Sequence, residues 1–294
     1  MNPGLWLAPF VASAKSELVR RHPEWLLKDK KGRPLKVGWN PMWGGWYYAL
    51  DFYQDGVREY LSGVFHLVQD KWGFELLKLD FLFAVALAPP PGKTRGGVMW
   101  EAMEFLRNLV GTGRILACGV PLGSAFGQVD YCRIGGDVHL DWKHPLLSFL
   151  QHRERVDTLA SLRSTLGRWQ LNGRAFQNDP DVFILRSDHQ KLNPEQQQTL
   201  LTINALLGNL LFTSDDIGQY SEAQKAEFEE ALSLRGSHIR QIFELEPDVW
   251  KIDFEQDGSL WSAFCNLTQK EKGTPLPNGT WVELRPFETM VLKS

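Results

Sequence analysis

The sequence predicts an α/β fold of the (β/α)8 TIM-type barrel class, followed by a small all-β domain. Up to about residue 238, short apolar runs alternate with helical patterns, which is typical of a parallel sheet covered by helices. No glycine-rich phosphate-binding motif follows any predicted strand, which disfavours the doubly wound alternative. Aspartates instead follow the predicted strands, where a barrel carries its active site: Asp80, Asp137, Asp179, Asp181, Asp215 and Asp216.

The predicted elements follow from apolar periodicity and from capping residues. Asn193 and Pro194 are typical of an N-cap and a first helical position, and Ser221 is a second N-cap. In chain order we expect strands at Gly4–Phe10, Glu75–Phe83, Arg114–Cys118, Tyr131–Gly135, Val182–Leu185 and Asn209–Thr213, and helices at Asp55–Trp72, 98–110, Gln151–Leu166, 193–207 and 221–234. The strand Glu75–Phe83 is almost continuously apolar, which predicts burial on both faces.

The texture of the sequence changes after residue 238. From Ile239 onward, short alternating stretches are separated by turn signals such as DGS and PNG, and no helical pattern is present. We therefore predict a partial barrel over residues 1–238 and an antiparallel β domain over residues 239–294.

Composition excludes several classes of protein. The 32 basic and 35 acidic residues give a net charge of -3, which disfavours nucleic acid or an anionic membrane as a partner. No apolar run reaches 18 residues, and the amino-terminal residues do not read as a signal peptide, so we expect a cytoplasmic protein. The three cysteines and seven histidines show no disulfide, HxH or HExxH spacing, and we predict no metal site and no cofactor.

Lys78 and Asp80 are the first candidates for chemistry. They lie two residues apart on one predicted strand and so project from the same face. Two charges in an apolar strand are unfavourable unless they are paired or functional. A neighbouring ammonium favours the ionised carboxylate, which suits Asp80 as a nucleophile, while a structural ion pair is the alternative.

A second carboxylate follows another predicted strand. Arg133 and Asp137 flank a Gly-Gly turn, and Asp137 is either an ordinary turn aspartate or a second catalytic acid. A retaining glycosidase needs two carboxylates about 5–5.5 Å apart. Tryptophans near these positions are either core residues or stacking surfaces for sugar rings: Trp6, Trp39, Trp43, Trp46 and Trp142.

Taken together, the motifs resemble those of the α-galactosidases of glycoside hydrolase family 36, with related forms in family 27. The resemblance covers nearly the whole chain and rests on GLWLAPF, HPEWLL, YYALDF, ELLKLDFLFA, LACGVPLGSAFGQVDYCRIGGDV, NDPDVFILR and TSDD. It implies that Asp80 is the nucleophile and Asp137 the general acid/base. It also implies four residues of the galactose pocket: Trp6, Lys78, Cys118 and Arg133.

The resemblance further implies α-galactosides of the melibiose and raffinose type as substrates, and structural roles for Asp179 and Asp181. Family members carry an N-terminal β-sandwich and two more βα units before the strand that matches GLWLAPF. We therefore expect a barrel that lacks its first two βα units, with open sheet edges that favour self-association. Two other functions stay open: an inactive remnant that at most binds sugar or a partner chain, and an α-N-acetylgalactosaminidase.

Overall fold

The computed structural model describes residues 3–144, 149, 156–275 and 281–293, which divide into two compact units. The first unit ends at Arg133 and the second begins at Ile134. The first contains β1 (Gly4–Leu7), β2 (Val11–Ser13), α1 (Glu17–Arg21), β3 (Lys36–Asn40), β4 (Gly45–Ala49), α2 (Asp55–His66), β5 (Leu76–Leu79), α3 (Arg95–Val110), β6 (Arg114–Ala117) and β7 (Tyr131–Arg133).

The second unit is described from Ile134 onward. It contains α4 (Thr158–Gly167), β8 (Gln177–Asp179), β9 (Val182–Phe183), α5 (Pro194–Leu207), β10 (Phe212–Thr213), α6 (Glu222–Ser233), β11 (His238–Glu246), β12 (Val249–Gln256), β13 (Ser259–Asn266), β14 (Lys272–Pro275), β15 (Trp281–Leu284) and β16 (Thr289–Lys293). The predicted α/β class with an antiparallel sheet at the C-terminal end is confirmed.

A parallel sheet in the order β1-β5-β6-β7 organises the first unit. Side chains of a strand alternate between its two faces, and in β5 Leu77 and Leu79 are fully buried while Lys78 is half-buried. Helix α3 contacts both α2 and β6, and its apolar side chains, including Met99 and Met103, are buried. One face of the sheet is therefore core, and the other is left for polar groups.

The strand predicted at Glu75–Phe83 is shorter than expected. It ends at Leu79, and a 3₁₀ turn follows over Leu82–Ala86. Asp80 Oδ1 accepts a hydrogen bond from the Phe81 N–H at 2.7 Å, and Phe81 has a left-handed φ of 54°. A side chain that bonds to the next backbone amide competes with the strand ladder, so the prediction of a strand through Phe83 is wrong.

A three-stranded antiparallel sheet, β2-β4-β3, lies between β1 and α2, where no element was predicted. Strands β3 and β4 are joined by a 3₁₀ turn at Pro41–Trp43, in which the Asn40 side chain accepts the Met42 N–H at 2.9 Å. Gly44 and Gly45 follow with φ of 82° and 114°, which glycine adopts without strain.

In the second unit, the predicted caps of α5 and α6 are confirmed. Asn193 and Ser221 each form a capping box with the glutamine three residues later. Helix α4 begins at Thr158 with Asp157 as its cap. The predicted start at Gln151 falls within residues 151–155, which lie outside the described residues.

The strands predicted at Val182–Leu185 and Asn209–Thr213 are shorter in the structure, where they form the parallel pair β9 and β10. The second prediction fails at its start because the amides of Asn209 and Leu210 bond to the Asn178 carbonyl, outside a ladder.

The antiparallel sheet has the order β11-β12-β13-β16 and begins at His238. Helix α5 contacts β16, and Thr199 Oγ1 donates to the Phe287 carbonyl at 2.7 Å. A domain boundary at residue 238 stays a prediction. Among the described helices, none combines the length and apolar character that crossing a bilayer requires.

Candidate active site

The register of the parallel sheet brings the first site residues together. Trp6 on β1 and Lys78 on β5 are Cα partners. Asp80 follows Lys78 by two positions, so all three side chains belong to the same face of the sheet. We call this the site face, and it is opposite to the face on which Leu77 and Leu79 are buried.

Two further residues complete the row at the carboxyl edge. Leu79, Ala117 and Cys132 are aligned across β5, β6 and β7. The residues that follow these three, one for each strand, therefore lie side by side on the site face: Asp80, Cys118 and Arg133. Five of the six residues that the sequence analysis selected thus lie on one face of one sheet.

The Asp80 carboxylate is held by two N–H donors. Trp6 Nε1 donates to Oδ2 at 3.1 Å, and the Phe81 amide donates to Oδ1 at 2.7 Å. Since each oxygen has one directional donor, the plane of the carboxylate is fixed. Asp80 nevertheless stays half-buried and open on the site face.

The pKa of the Cys118 thiol depends on its burial and on the charges around it. Burial raises its pKa, and the negative charge of Asp80 raises it further, while Arg133 and Lys78 act in the opposite direction. The thiol is therefore protonated at neutral pH. Arg133 is buried, with 6% of its surface exposed, so its charge acts at low dielectric.

An aromatic group lies beside Asp80. The Trp43 ring is 6.1 Å from Trp6 and 5.4 Å from Phe81, the latter edge-to-face, and Tyr47 contacts both Trp43 and Phe81. Trp6 and Trp43 keep 46% and 42% of their surface exposed, which leaves apolar ring surface accessible. Tyr47 and Phe81 lie within the motifs YYALDF and ELLKLDFLFA but were not among the predicted site residues.

The other predicted tryptophans divide into two groups. Trp39 and Trp46 face each other across β3 and β4 and are exposed. Trp142 is buried in the core of the second unit, and its Nε1 donates to the Leu267 carbonyl at 3.3 Å. A sugar-stacking role for Trp142 is therefore wrong, since its ring faces are covered by core side chains.

Asp137 belongs to the second unit and is exposed. It lies on the loop after β7, where the next amide, Val138 N, donates to Asp181 Oδ2 at 2.7 Å. Asp181 is itself buried at a left-handed φ of 78°, and its amide donates to Asp179 Oδ1 at 2.9 Å. The NDPD motif thus holds the backbone beside Asp137.

One group of side chains that are able to ligate a metal was not predicted. Within the described ranges, donor atoms of His139, Asp141 and His144 lie within 4.8 Å of one another in the second unit. Their H-x-D-x-x-H spacing matches neither HxH nor HExxH, so those two patterns did not indicate it.

Comparisons with known proteins place these features in context. No protein-family model matches the chain. The α-galactosidase TtGalA from Thermus thermophilus, solved in complex with p-nitrophenyl α-D-galactopyranoside, is 32% identical with a TM-score of 0.73, over 86% of this chain and 50% of that one. A complex of TtGalA with stachyose gives 34% identity and a TM-score of 0.71, over 79% of this chain and 50% of that one.

More distant structures share the fold. The family 36 α-galactosidase AgaA from Geobacillus stearothermophilus is 14% identical with a TM-score of 0.60, over 100% of this chain and 44% of that one. The α-galactosidase I from Mortierella vinacea is 14% identical with a TM-score of 0.61, over 85% of this chain and 72% of that one. The resemblance to α-galactosidases is thereby confirmed, and the chain spans about half the length of TtGalA.

Proposed function

We propose that this chain, an α-galactosidase-like polypeptide of the family 36 and 27 type, hydrolyses terminal α-galactosides with retention of configuration. In this proposal Asp80 is the nucleophile and Asp137 the general acid/base. Galactose lies on the site face of the parallel sheet, in contact with Trp6, Lys78, Cys118 and Arg133.

The first step breaks the bond between C1 of galactose and the leaving oxygen. Asp80 attacks C1 and forms a covalent galactosyl ester, while Asp137 donates its proton to the leaving oxygen. In the second step Asp137 takes a proton from water, whose oxygen attacks C1 and releases Asp80. Two inversions at C1 give net retention.

Trp6 and Lys78 support the nucleophile in different ways. The indole N–H and the Phe81 amide aim the Asp80 carboxylate, which reduces the reorganisation needed for attack. The Lys78 side chain belongs to the same face and supplies a positive charge there. The protonated Cys118 thiol is not a competing nucleophile.

The observation that carries the proposal is the row of Asp80, Cys118 and Arg133 at the carboxyl edge of adjacent parallel strands. The 32% identity to TtGalA, an α-galactosidase solved with a galactoside, supports the choice of substrate. Raffinose and stachyose occur in complexes of similar proteins, which supports oligosaccharides of this type.

Azide rescue tests both roles at once. With p-nitrophenyl α-galactoside, Asp80→Ala plus azide should give β-galactosyl azide, because azide replaces the missing nucleophile from the opposite face. Asp137→Ala plus azide should give α-galactosyl azide, because azide attacks the galactosyl-enzyme. Asp188→Asn, at a carboxylate that is 72% exposed, is the matched control and should behave as wild type. A β-azide from Asp137→Ala would contradict the assignment.

A second candidate follows from length. Since the chain spans 50% of TtGalA, an inactive polypeptide that only binds α-galactosides is the alternative. It predicts no nitrophenolate release by the wild-type chain but saturable binding of melibiose, measured by calorimetry. Turnover by the wild-type chain that Asp80→Ala abolishes would exclude it.

A further inference from the structure

The second unit contains a cluster of two imidazoles and one carboxylate. His139 Nδ1 and Asp141 Oδ2 are 3.2 Å apart, and the His139 and His144 rings are 4.9 Å apart at 64°. Two ligands at the usual distances from a tetrahedral zinc ion are separated by roughly 3.3 Å. The first pair therefore has the spacing of two ligands on one zinc ion. An ion bound at His139 Nδ1 replaces the Asp141 amide, which donates to that nitrogen at 3.2 Å.

The backbone that carries these ligands is fixed by its neighbours. Thr158 Oγ1 donates to the His139 carbonyl at 2.7 Å, and the Leu159 amide donates to the Trp142 carbonyl at 3.0 Å. Trp142 is in turn anchored in the core of the second unit. A metal site gains affinity when its ligands are held in place before the ion arrives.

Lys191 competes with a metal cation for the Asp141 carboxylate. Its Nζ lies 3.0 Å from Asp141 Oδ1 and 3.1 Å from Oδ2, so it neutralises the carboxylate in the absence of metal. The Lys191 side chain is 67% exposed and can move into water. A divalent ion can then take Oδ2 and the His139 nitrogen together.

We propose that His139, Asp141 and His144 form a zinc-binding site with one open coordination position. The donor set favours a transition metal over calcium or magnesium, which prefer oxygen ligands alone, and imidazole with a carboxylate suits zinc. The site begins two residues after Asp137, so a bound ion restrains the segment that follows this carboxylate. The proposal does not depend on galactosidase activity.

Zinc titration in competition with a chromophoric chelator tests the site, with the chain free of any affinity tag. We expect one zinc ion per chain, and binding on the order of tenfold weaker or more in His139→Ala, Asp141→Asn and His144→Ala. Lys191→Met should bind zinc more tightly, because it removes the competing ammonium. His189→Ala, at a histidine that is 91% exposed and outside the cluster, is the matched control and should not change binding.

A second readout separates a specific site from loss of folding. Circular dichroism should show the same spectrum for all variants, and Co²⁺ in place of zinc should give the visible bands of a four-coordinate ion with nitrogen ligands. The absence of stoichiometric zinc binding in the wild-type chain would overturn the proposal. So would unchanged affinity in His139→Ala and His144→Ala, since the ion would then be held elsewhere.

Discussion

Asp80 in the first unit and Asp215 in the second occupy similar places in the chain, just after a parallel strand, yet their surroundings differ. Asp80 accepts one indole N–H and one backbone amide and stays open on the site face. Asp215 has a side chain that is 0% exposed and accepts four hydrogen bonds. An aspartate at a strand end is therefore not a sign of catalysis by itself.

The partners of Asp215 show what a structural carboxylate looks like. Its Oδ2 accepts the amides of Leu185 and Arg186 at 2.6 and 3.0 Å and the Tyr220 hydroxyl at 2.7 Å, while Arg186 Nη1 donates to Oδ1 at 2.8 Å. Burial raises the pKa of Asp215, but the hydrogen bonds from Leu185, Tyr220 and Arg186 outweigh it and lower the pKa overall. Since its side chain is fully buried and held by these partners, this carboxylate is not accessible to a substrate.

The largest effect that we expect is the loss of turnover in Asp80→Ala. Removing the nucleophile should lower kcat with p-nitrophenyl α-galactoside by about 10⁴-fold or more. The urea unfolding midpoint should change little, because Asp80 is half-buried and its removal leaves no buried charge without a partner. Retained turnover, or a large loss of stability with proportionate loss of activity, would place Asp80 in the same structural class as Asp215.

Asp215→Asn, the corresponding substitution in the second unit, should lower the stability of the fold. Asp215→Asn leaves the Arg186 guanidinium without its ion-pair partner and weakens three N–H or O–H bonds, so the free energy of unfolding should fall by about 3 kcal/mol. Urea unfolding at neutral pH measures this loss. Asp188→Asn, at an exposed carboxylate, is the control and should differ from wild type by less than about 0.5 kcal/mol.

Lys78→Met tests whether the ammonium supports the chemistry. Loss of a charge beside the reacting carboxylate should lower kcat/KM by roughly 10²-fold, and Lys78→Arg should recover part of it because it restores the charge. Kinetics with nitrophenyl galactoside measure both variants. Equal losses of kcat/KM in Lys78→Met and Lys78→Arg would show that the shape of the lysine side chain, and not its charge, supports the reaction.

The smallest effect concerns the pH dependence of stability. The pKa of Asp215 is lower in the folded chain than in the unfolded one, so its stabilisation is complete above the unfolded pKa of about 3.9 and is lost as pH falls through the folded pKa. The difference in unfolding free energy between wild type and Asp215→Asn should thus be constant near neutral pH and shrink below about pH 4. A difference that persisted unchanged at pH 2 would contradict this origin.

The sequence was sufficient for the features that depend on local spacing. Lys78 and Asp80 share a face because side chains alternate along a strand, and strand ends meet at one edge in any parallel sheet. The caps at Asn193 and Ser221 were readable for the same reason, since a capping box lies within four residues.

Features that depend on distant contacts were not readable. Nothing in an apolar run indicates that the strand ends at Leu79, because the next amides, of Leu82 and Phe83, bond to the carbonyls of Cys118 and Gly119, far away in the chain. The sequence does not distinguish Trp43 from Trp142, but in the structure Trp43 is exposed and Trp142 is buried in the core. The Asp215 partners lie up to 30 positions away in the chain.

The comparison between the two aspartates is tested most directly by trapping the covalent intermediate. A slow α-galactosyl fluoride analogue that forms the ester but hardly hydrolyses would label the nucleophile, and peptide mass spectrometry would locate it. We expect one galactosyl adduct per chain, on the peptide that contains Asp80, and none in Asp80→Ala. A label on any other carboxylate, or turnover with inversion at C1, would contradict the assignment of Asp80 as the nucleophile.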